Sequence, residues 1–502
     1  MSLNCKTYSP TVAVNLSFAE LYNAWQATSS GGGMGQLYFE LNWLDSISQL
    51  RETLVRGIWQ PKPTVCFLVL KPKIREIHAP HFSDRVVHHY LVPRLEQYFE
   101  PRFIYDSYAN RVTKGSHKAV ARLQCFTRKV FDGSGAGSGW YLQCDIKNFF
   151  YSIYRPKLYQ LIKETLQHQI SLQPEQREYF LGLQSLSHKL LAKPIQAKYA
   201  PDYDKKAIPK QKQLANCGKN CGLPIGNLSS QFFANVYLNQ LDQFIKHQLK
   251  IKYFVRFADD FVCVSKDRHQ LLDWQDKIQQ FLQSQLKLQL KPVIVQPIAN
   301  GIDFLGYRVY PHHKTVRPRV IKHCKQKLSL WQNDRVKKLA NGWHIKASQK
   351  QLKELQAQLA SYYGHFSHAH SAKCVFNIYS DFPWLKYLFL TKYRKDLNKN
   401  WKLCQCWQDL SCYSLNQQLR NISKQYPKAW IIASCGSRYW LLKPDTVNNR
   451  IEYLSVKSWQ RVKYQLIKRK LPYLFLKEHA YLRHGARKRY ISEWYLPQQE
   501  IK

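Results

Sequence analysis

Two adjacent carboxylates, Asp259 and Asp260, sit between two apolar, β-branched and aromatic runs in the stretch Tyr253–Ser265, YFVRFADDFVCVS. Apolar runs on either side of a short polar break are the pattern of a β-hairpin with the acids at its tip. Side-by-side carboxylates repel one another and make a poorer turn than Asp-Gly. The pair is either a solvated acidic turn or a divalent-cation site, because hard oxygen ligands clustered on a rigid hairpin hold Mg²⁺. With only 33 acidic residues against 76 basic ones, the cation site is the stronger reading. A third carboxylate is on offer in Trp140–Tyr151, WYLQCDIKNFFY, where a hydrophobic strand delivers Asp145 ahead of two phenylalanines. An unpaired carboxylate in so apolar a setting is costly, so Asp145 is expected to have a cation partner. Three acids on two strands fit two-metal phosphoryl transfer, one ion activating a 3′-hydroxyl and the other steadying a triphosphate and its leaving pyrophosphate.

The rest of the chain must position these acids. Its 502 residues are 45% apolar, enough for a large core and too many for wholesale disorder. The net charge of +43 calls for a polyanionic partner, and it is global. Residues 311–400 carry 18 basic and 4 acidic side chains, and residues 401–502 carry 19 and 6, which excludes a basic tail on a neutral protein. A membrane surface would satisfy the charge, but Tyr, Phe and Trp interleaved with Lys and Arg fit stacking on bases better. No apolar run reaches membrane-spanning length and Met1–Lys6 opens no signal peptide, so no membrane role is expected.

Thirteen scattered cysteines, an odd number, predict reduced thiols and a cytoplasmic location. The pair Cys217 and Cys221, and the group Cys404, Cys406 and Cys412, lack a second ligand pair at zinc spacing and are expected to be free thiols. Ser29–Gly35, Asp132–Gly139 and the Lys-rich stretch Lys198–Lys219 read as connections. Helical and strand patterns mix without regular alternation, which predicts an α+β fold. Helical periodicity with basic faces runs from Val320 to Ala360, and Asp381–Pro383 reads as a boundary.

The two acidic motifs together resemble the palm of a reverse transcriptase, with Phe257-Ala258-Asp259-Asp260 standing for the usual Tyr-x-Asp-Asp. Further motifs fall in that family's order. Lys73-Ile-Arg75-Glu-Ile-x-x-Pro80 with Asp84-Arg85-Val86-Val87 resembles the fingers segment that grips the incoming triphosphate. Tyr108-Ala-Asn-Arg111 with Lys114-Gly115 resembles the next finger motif. Gly222-Leu-Pro-Ile225-Gly226, running on to Ser229, Ser230 and Gln231, resembles the segment beneath the template–nucleotide pair. Gly301-Ile-Asp-Phe-Leu-Gly306-Tyr resembles the primer-gripping hairpin, and the basic helices from Arg317 to Ser361–Phe366 resemble the thumb.

This resemblance, over residues 71–370, implies a right-hand polymerase with fingers and palm over 1–310, a helical thumb over 311–380 and an additional α/β domain over 381–502. It implies RNA-directed DNA synthesis with an RNA template, a DNA or RNA primer and dNTPs. Two Mg²⁺ ions, with Mn²⁺ as a substitute, are assigned to Asp145, Asp259 and Asp260. Lys73, Arg75, Phe150, Gly226 and Gln231 are expected at the nucleotide, and Ile225, Gly306, Arg111 and Lys114 at the template or primer. Lys291 stands where the family often carries a proton donor to pyrophosphate.

The residues leave alternatives open. Lys73 and Arg75 are phosphate ligands or surface charges. Phe150 is an aromatic gate under the sugar or core packing, and only one of Phe149 and Phe150 can face the site. In the glycine motif, Gly226 is expected to allow close approach to a base pair, and Ser229 or Ser230 to cap the following helix. Phe233, Val236, Tyr237, Leu241 and Phe244 read as that helix's core face.

Most relatives carry Gln before the motif's second glycine and end it with Ser-Pro. Ile225 and Gln231 instead resemble the enzymes of diversity-generating retroelements, which make errors opposite adenine and work with a small basic accessory protein. Group II intron and defence-associated enzymes are alternatives, as is a non-catalytic RNA-binding scaffold. An RNA polymerase of similar palm is disfavoured by Phe150. Ser423–Leu441 weakly resembles the start of a MutS mismatch-recognition domain, without its mismatch-reading Phe and Glu. The alternative for this region is a basic aromatic domain holding template RNA, to which Arg483–Arg489 would contribute phosphate contacts.

Overall fold

The computed structural model describes residues 14, 16–28, 33–70, 73–131, 139–192, 196–339, 342–390, 402–403, 418–419, 422–423, 426, 428–435, 438–444, 451–469, 471–481 and 487–497. Two compact units emerge: Met1–Leu305 with Val309–His312, and Gly306–Arg308 with His313–Lys502. Helices and sheets are mixed in both, as expected of an α+β chain. Among the described residues no helix is long and apolar enough to cross a membrane.

The first unit opens with helices α1 (Phe18–Gln26), α2 (Met34–Leu41) and α3 (Trp43–Val55). Ser17 and Glu20 form a reciprocal capping box that starts α1. Met34 and Gly35, expected in a connection, lie in α2, whereas Ser29–Gly32 fall outside the described residues.

Strands β1 (Thr64–Val69) and β2 (Arg75–Ala79) pair antiparallel, with Cys66 opposite His78. Helices α4 (Phe82–Phe99) and α5 (Ser116–Val130) follow, then strand β3 (Trp140–Asp145). Of the connection expected over Asp132–Gly139, only Gly139 is described. The short α6 (Phe149–Ser152) and the long α7 (Arg155–Leu172) and α8 (Arg177–Ala192) lead to β4 (Ala197–Tyr199). Strand β4 runs parallel to β1, so the expected loop Lys198–Lys219 begins as a sheet edge before breaking into short 3₁₀ turns.

Helix α9 (Leu228–Gln243) then leads to the four-stranded antiparallel sheet β5-β6-β3-β7. Its strands are β5 (Phe254–Phe257), β6 (Asp260–Ser265), β3 and β7 (Ile294–Pro297), with α10 (Arg268–Leu286) before β7. Phe233, Val236, Tyr237 and Leu241 are buried and Phe244 packs against the same core, as the spacing predicts. Ser229 and Ser230 do not cap α9. Asn227 holds that position without a side-chain bond, and both serines are buried inside the first turn.

The second unit departs from a purely helical thumb followed by a separate domain. Helices Pro318–Arg335 and Gln349–Phe366 do form, but Val336–Leu339 and Gly342–Lys346 make a β-hairpin between them. The latter strand pairs with Arg487–Pro497, which joins the hairpin to a seven-stranded sheet containing Tyr473–Tyr481, Trp430–Cys435, Arg438–Leu442 and Ile451–Leu454. Trp343 and Ile345 are buried on alternate positions while Lys346 is exposed, a two-residue period that overrides the helical pattern of the flanks. No boundary therefore falls at Asp381–Pro383: Trp384 and Leu385 share one core with Leu352, Leu355 and Ile431. Cys404, Cys406, Cys412, Gly436, Ser437 and residues 482–486 lie outside the described residues.

Candidate active site

The acidic hairpin forms as its sequence demands. Phe257 pairs with Asp260 across a two-residue turn of Ala258 and Asp259. Ala258 has φ +53°, a left-handed conformation that costs a residue with a Cβ and that usually persists only where the surroundings enforce it. Arg256 enforces it. Its guanidinium donates to the Ala258 carbonyl at 3.1 Å, and it is clamped by Asp242 at 2.7 and 2.6 Å, Ser107 Oγ at 2.9 Å and Asn235 Oδ1 at 3.3 Å. Arg256 and Asp242 are both fully buried. The motif Tyr108–Arg111 supports the same hairpin: Tyr108 N donates to Arg256 O at 2.9 Å, and Asn235 donates to Ala109 O at 2.8 Å. The sequence reading missed Arg256, although a lone charge inside the apolar run FVRF signals a buried partner.

Strand β3 brings the third acid. It pairs with β6 in a register that sets Asp145 directly opposite Asp260, and Ile146 N donates to Asp259 O at 3.1 Å. Direct opposition puts Cα atoms roughly 4.5–5.5 Å apart, so the three predicted acids converge. Burial, and then the nearby charge of Asp145, raise the Asp259 carboxyl above its ordinary range, while Lys291 and Arg75 oppose the rise. The cation partner expected for Asp145 is Lys291, whose ammonium lies 2.6 Å from Oδ2. The other oxygen, Oδ1, is buried and has no hydrogen-bond partner. Asp260 accepts from Gln143 at 3.3 Å. Converging carboxylates with an orphaned buried oxygen suit hard divalent cations.

The remaining predicted residues divide. Arg75, the first residue of β2, is exposed and near enough for its charge to act on Asp259; Lys73 is exposed on the preceding bend. Phe149 goes into the core and Phe150 stays half-exposed at the same turn, with Phe150 O accepting from Leu223 N at 2.8 Å. Ile225 O accepts from His78 N at 2.8 Å, and Gln231 is exposed on the first turn of α9.

Four further predicted residues are engaged by protein neighbours. Gly226, at φ +118°, is required by its protein neighbours, since a Cβ there would meet Ile77 Cγ2 at 3.0 Å and His78 O at 3.1 Å. Arg111 is not a free template or primer contact. Its side chain pairs with Glu100 at 2.7 Å and donates to Ile104 O at 2.7 Å and Ser107 O at 2.8 Å, leaving its fork committed. Lys114 is likewise engaged, donating to Tyr105 O at 2.8 Å over the Tyr105 ring. Gly306 belongs to the second unit, where a Cβ would meet His365 Cε1 at 2.9 Å and the next residue, Tyr307, stacks on His365 at 4.2 Å. Cys217 and Cys221 form no disulfide.

Residues 60–309 match the family described as "Reverse transcriptase (RNA-dependent DNA polymerase)". This stretch, which contains all three acids, is a reverse transcriptase domain by that match, and its fold class is that of the α+β right-hand polymerases. The group II intron-encoded protein LtrA of Lactococcus lactis subsp. cremoris is 24% identical over 212 residues, 42% of this chain and 29% of that protein. The match thus spans less than a third of the curated relative's length. Among solved structures, telomerase from Candida albicans with a TWJ fragment of telomeric RNA aligns with TM-score 0.37 and 11% identity, over 70% of this chain and 62% of that one. Apo telomerase from Candida Tropicalis aligns with TM-score 0.38 and 10% identity, over 69% and 66%.

Proposed function

We propose that the protein is an RNA-directed DNA polymerase that extends a primer with dNTPs on an RNA template. The observation that carries this is the convergence of Asp145, Asp259 and Asp260 on one antiparallel register, inside a reverse transcriptase domain. Asp145, Asp259 and Asp260 would hold two Mg²⁺, which when bound supply Lewis acidity to the primer hydroxyl and the triphosphate. The chain's own groups do the rest. Arg75 and Lys73 bind phosphate oxygens, Lys291 orients the Asp145 side chain through their ion pair, and Phe150 sits under the sugar to exclude a 2′-hydroxyl. A non-catalytic RNA-binding scaffold is disfavoured, because it would have no use for a strained turn and a costly acid cluster.

The finer reading is an error-prone enzyme of a diversity-generating retroelement, working in the cytoplasm with a small basic accessory protein. It is supported by Ile225 and Gln231. Ile225 follows the strand bearing Arg75 through its bond to His78, and Gln231 presents a long mobile side chain on the exposed face of α9. The similarity to LtrA favours a group II intron-type enzyme as the second reading. The basic, aromatic tail is read as a template-holding domain. Arg461, Tyr464 and Lys468 lie exposed at helical spacing on Val456–Lys468, and the mixed sheet is compatible with a MutS-like shape without mismatch reading.

Primer extension on a defined RNA, followed by sequencing of the cDNA, tests both levels. The proposal expects dNTP-dependent, RNA-templated extension with errors concentrated opposite adenine, and a lower adenine bias in Ile225→Gln/Gln231→Pro. Extension with a low, flat error spectrum would leave the polymerase and remove the retroelement type. No extension would remove both.

A further inference from the structure

Beneath the strand that carries Arg75 lies a second set of ligand-type side chains. Cys66 on β1 stands opposite His78 on β2, and Glu76 lies two residues earlier on the same face. All three are buried, with 0, 3 and 1% exposure for Cys66, His78 and Glu76. Cys66 Sγ is 3.5 Å from Glu76 Oε1 and 3.9 Å from His78 Nε2, which is 3.4 Å from Glu76 Oε2. These separations are long for charge-assisted hydrogen bonds, which run about 2.7–2.9 Å. They are of the size of the edges of a tetrahedron around Zn²⁺, about 3.4–3.6 Å for nitrogen and oxygen at ~2.0–2.1 Å and sulfur at ~2.3 Å, with the sulfur distance measured to Oε1 of Glu76 and the imidazole distance to Oε2, and one ligand atom from each residue lies within 4.8 Å of the other two.

The surroundings aim the ligands. The Thr64 hydroxyl lies 3.3 Å from the Gln196 carbonyl and 3.2 Å from His78 Nδ1, and when it donates to the carbonyl it accepts a hydrogen bond from Nδ1–H. Nε2 is thereby left toward Cys66 and Glu76, the outer-shell arrangement of a metal-binding histidine. Glu76 is held by two donors, Tyr203 OH at 2.8 Å from Oε1 and Leu214 N at 2.5 Å from Oε2.

We propose that Cys66, Glu76 and His78 form a zinc site, with a water as fourth ligand. One sulfur, one imidazole and one carboxylate select zinc over magnesium, and the two anionic ligands neutralise the dication. On binding, the Cys66 thiol loses its proton to solvent and the sulfur bonds the metal, with no redox change. The ion would pin β1 to β2 and, through Tyr203 and Leu214, the long connection before Gly222. That stiffens the strand presenting Arg75 without entering the polymerase chemistry.

The test reads metal, not activity. Full-length protein purified without chelator and dialysed against metal-free buffer is assayed for elemental zinc. The site predicts one equivalent per chain, retained in Cys217→Ser/Cys221→Ser and reduced by about tenfold or more in folded Cys66→Ser and His78→Gln. X-ray absorption at the zinc edge of the wild-type protein serves even where those variants fail to fold, and it should fit one sulfur and three nitrogen or oxygen ligands. Absence of stoichiometric zinc, two or more sulfur ligands, or full zinc content in folded Cys66→Ser would overturn the site.

Discussion

Lys291 is tied to Asp145 at both ends of the residue: its main-chain N–H donates to the Asp145 carbonyl at 2.9 Å, and its ammonium meets the carboxylate at 2.6 Å. The backbone bond fixes where the side chain starts, and the ion pair then occupies one carboxylate oxygen while the other stays buried and unpartnered. A carboxylate held this way is oriented before any ligand arrives. That pre-organisation is what a metal-dependent transfer site needs.

Lys291→Met should therefore lower kcat by about 10–100-fold, the usual cost of losing an outer partner of a metal ligand, with RNA affinity unchanged. Lys291→Arg should keep part of the rate, since a cation remains within reach. Single-turnover extension on saturating template is the measurement, and equal rates in wild type and Lys291→Met would sink this role.

Arg256→Met leaves Asp242 as an unpaired buried charge and should destabilise the first unit by about 3–5 kcal/mol. Adding Asp242→Leu should recover most of that loss without restoring activity, because the Ala258 carbonyl still lacks its donor. Urea unfolding and primer extension of the three proteins separate the two effects. Full activity in the double variant would show that the Ala258 turn holds without Arg256.

Phe150→Ala should admit ribonucleotides, reducing discrimination against rNTPs by about tenfold or more through loss of a ring-sized contact. The readout is the ratio of kcat/KM for dNTP and rNTP. Unchanged discrimination in an active variant would reassign Phe150 to core packing beside Phe149.

Glu493 makes the second unit acid-sensitive. Burial alone would raise its carboxyl, but hydrogen bonds from His344 at 2.5 Å and from Lys463 outweigh it and hold the value at about 2, below the ordinary 4.5. Because the folded value is depressed, the contribution is complete above pH 4.5 and is lost as pH falls toward 2. It is on the order of 3 kcal/mol. Urea midpoints of wild type and Glu493→Gln should differ most above pH 4.5 and converge toward pH 2. A difference independent of pH would contradict the linkage.

The catalytic hairpin was legible because β-branched and aromatic runs on both sides of Asp259-Asp260 leave few other structures, and Asp145 because its strand is as apolar. Lys291 could be expected only as some cation, since its pairing with Asp145 spans 146 residues and depends on the path through α10. Arg111 misled because a motif position says nothing of what a guanidinium will find nearby, here Glu100 and two carbonyls. At Gly226 the motif spacing signals a close approach but not that β2, through Ile77 and His78, is one neighbour that needs it. The hairpin 336–346 was hidden by basic helices on either side, and its alternation of Trp343 and Ile345 is too short to stand out without its partner strand, more than 140 residues away.

The most direct test of the account is Asp259→Asn. One carboxylate oxygen becomes an amide nitrogen, shape is nearly conserved, and the anion that divalent-ion binding requires is lost. Primer extension with dNTPs and Mg²⁺ on an RNA template should fall to background, while the circular dichroism spectrum and RNA affinity match those of wild type. Extension by Asp259→Asn near the wild-type rate would contradict the assignment of Asp145, Asp259 and Asp260 as the centre of DNA synthesis.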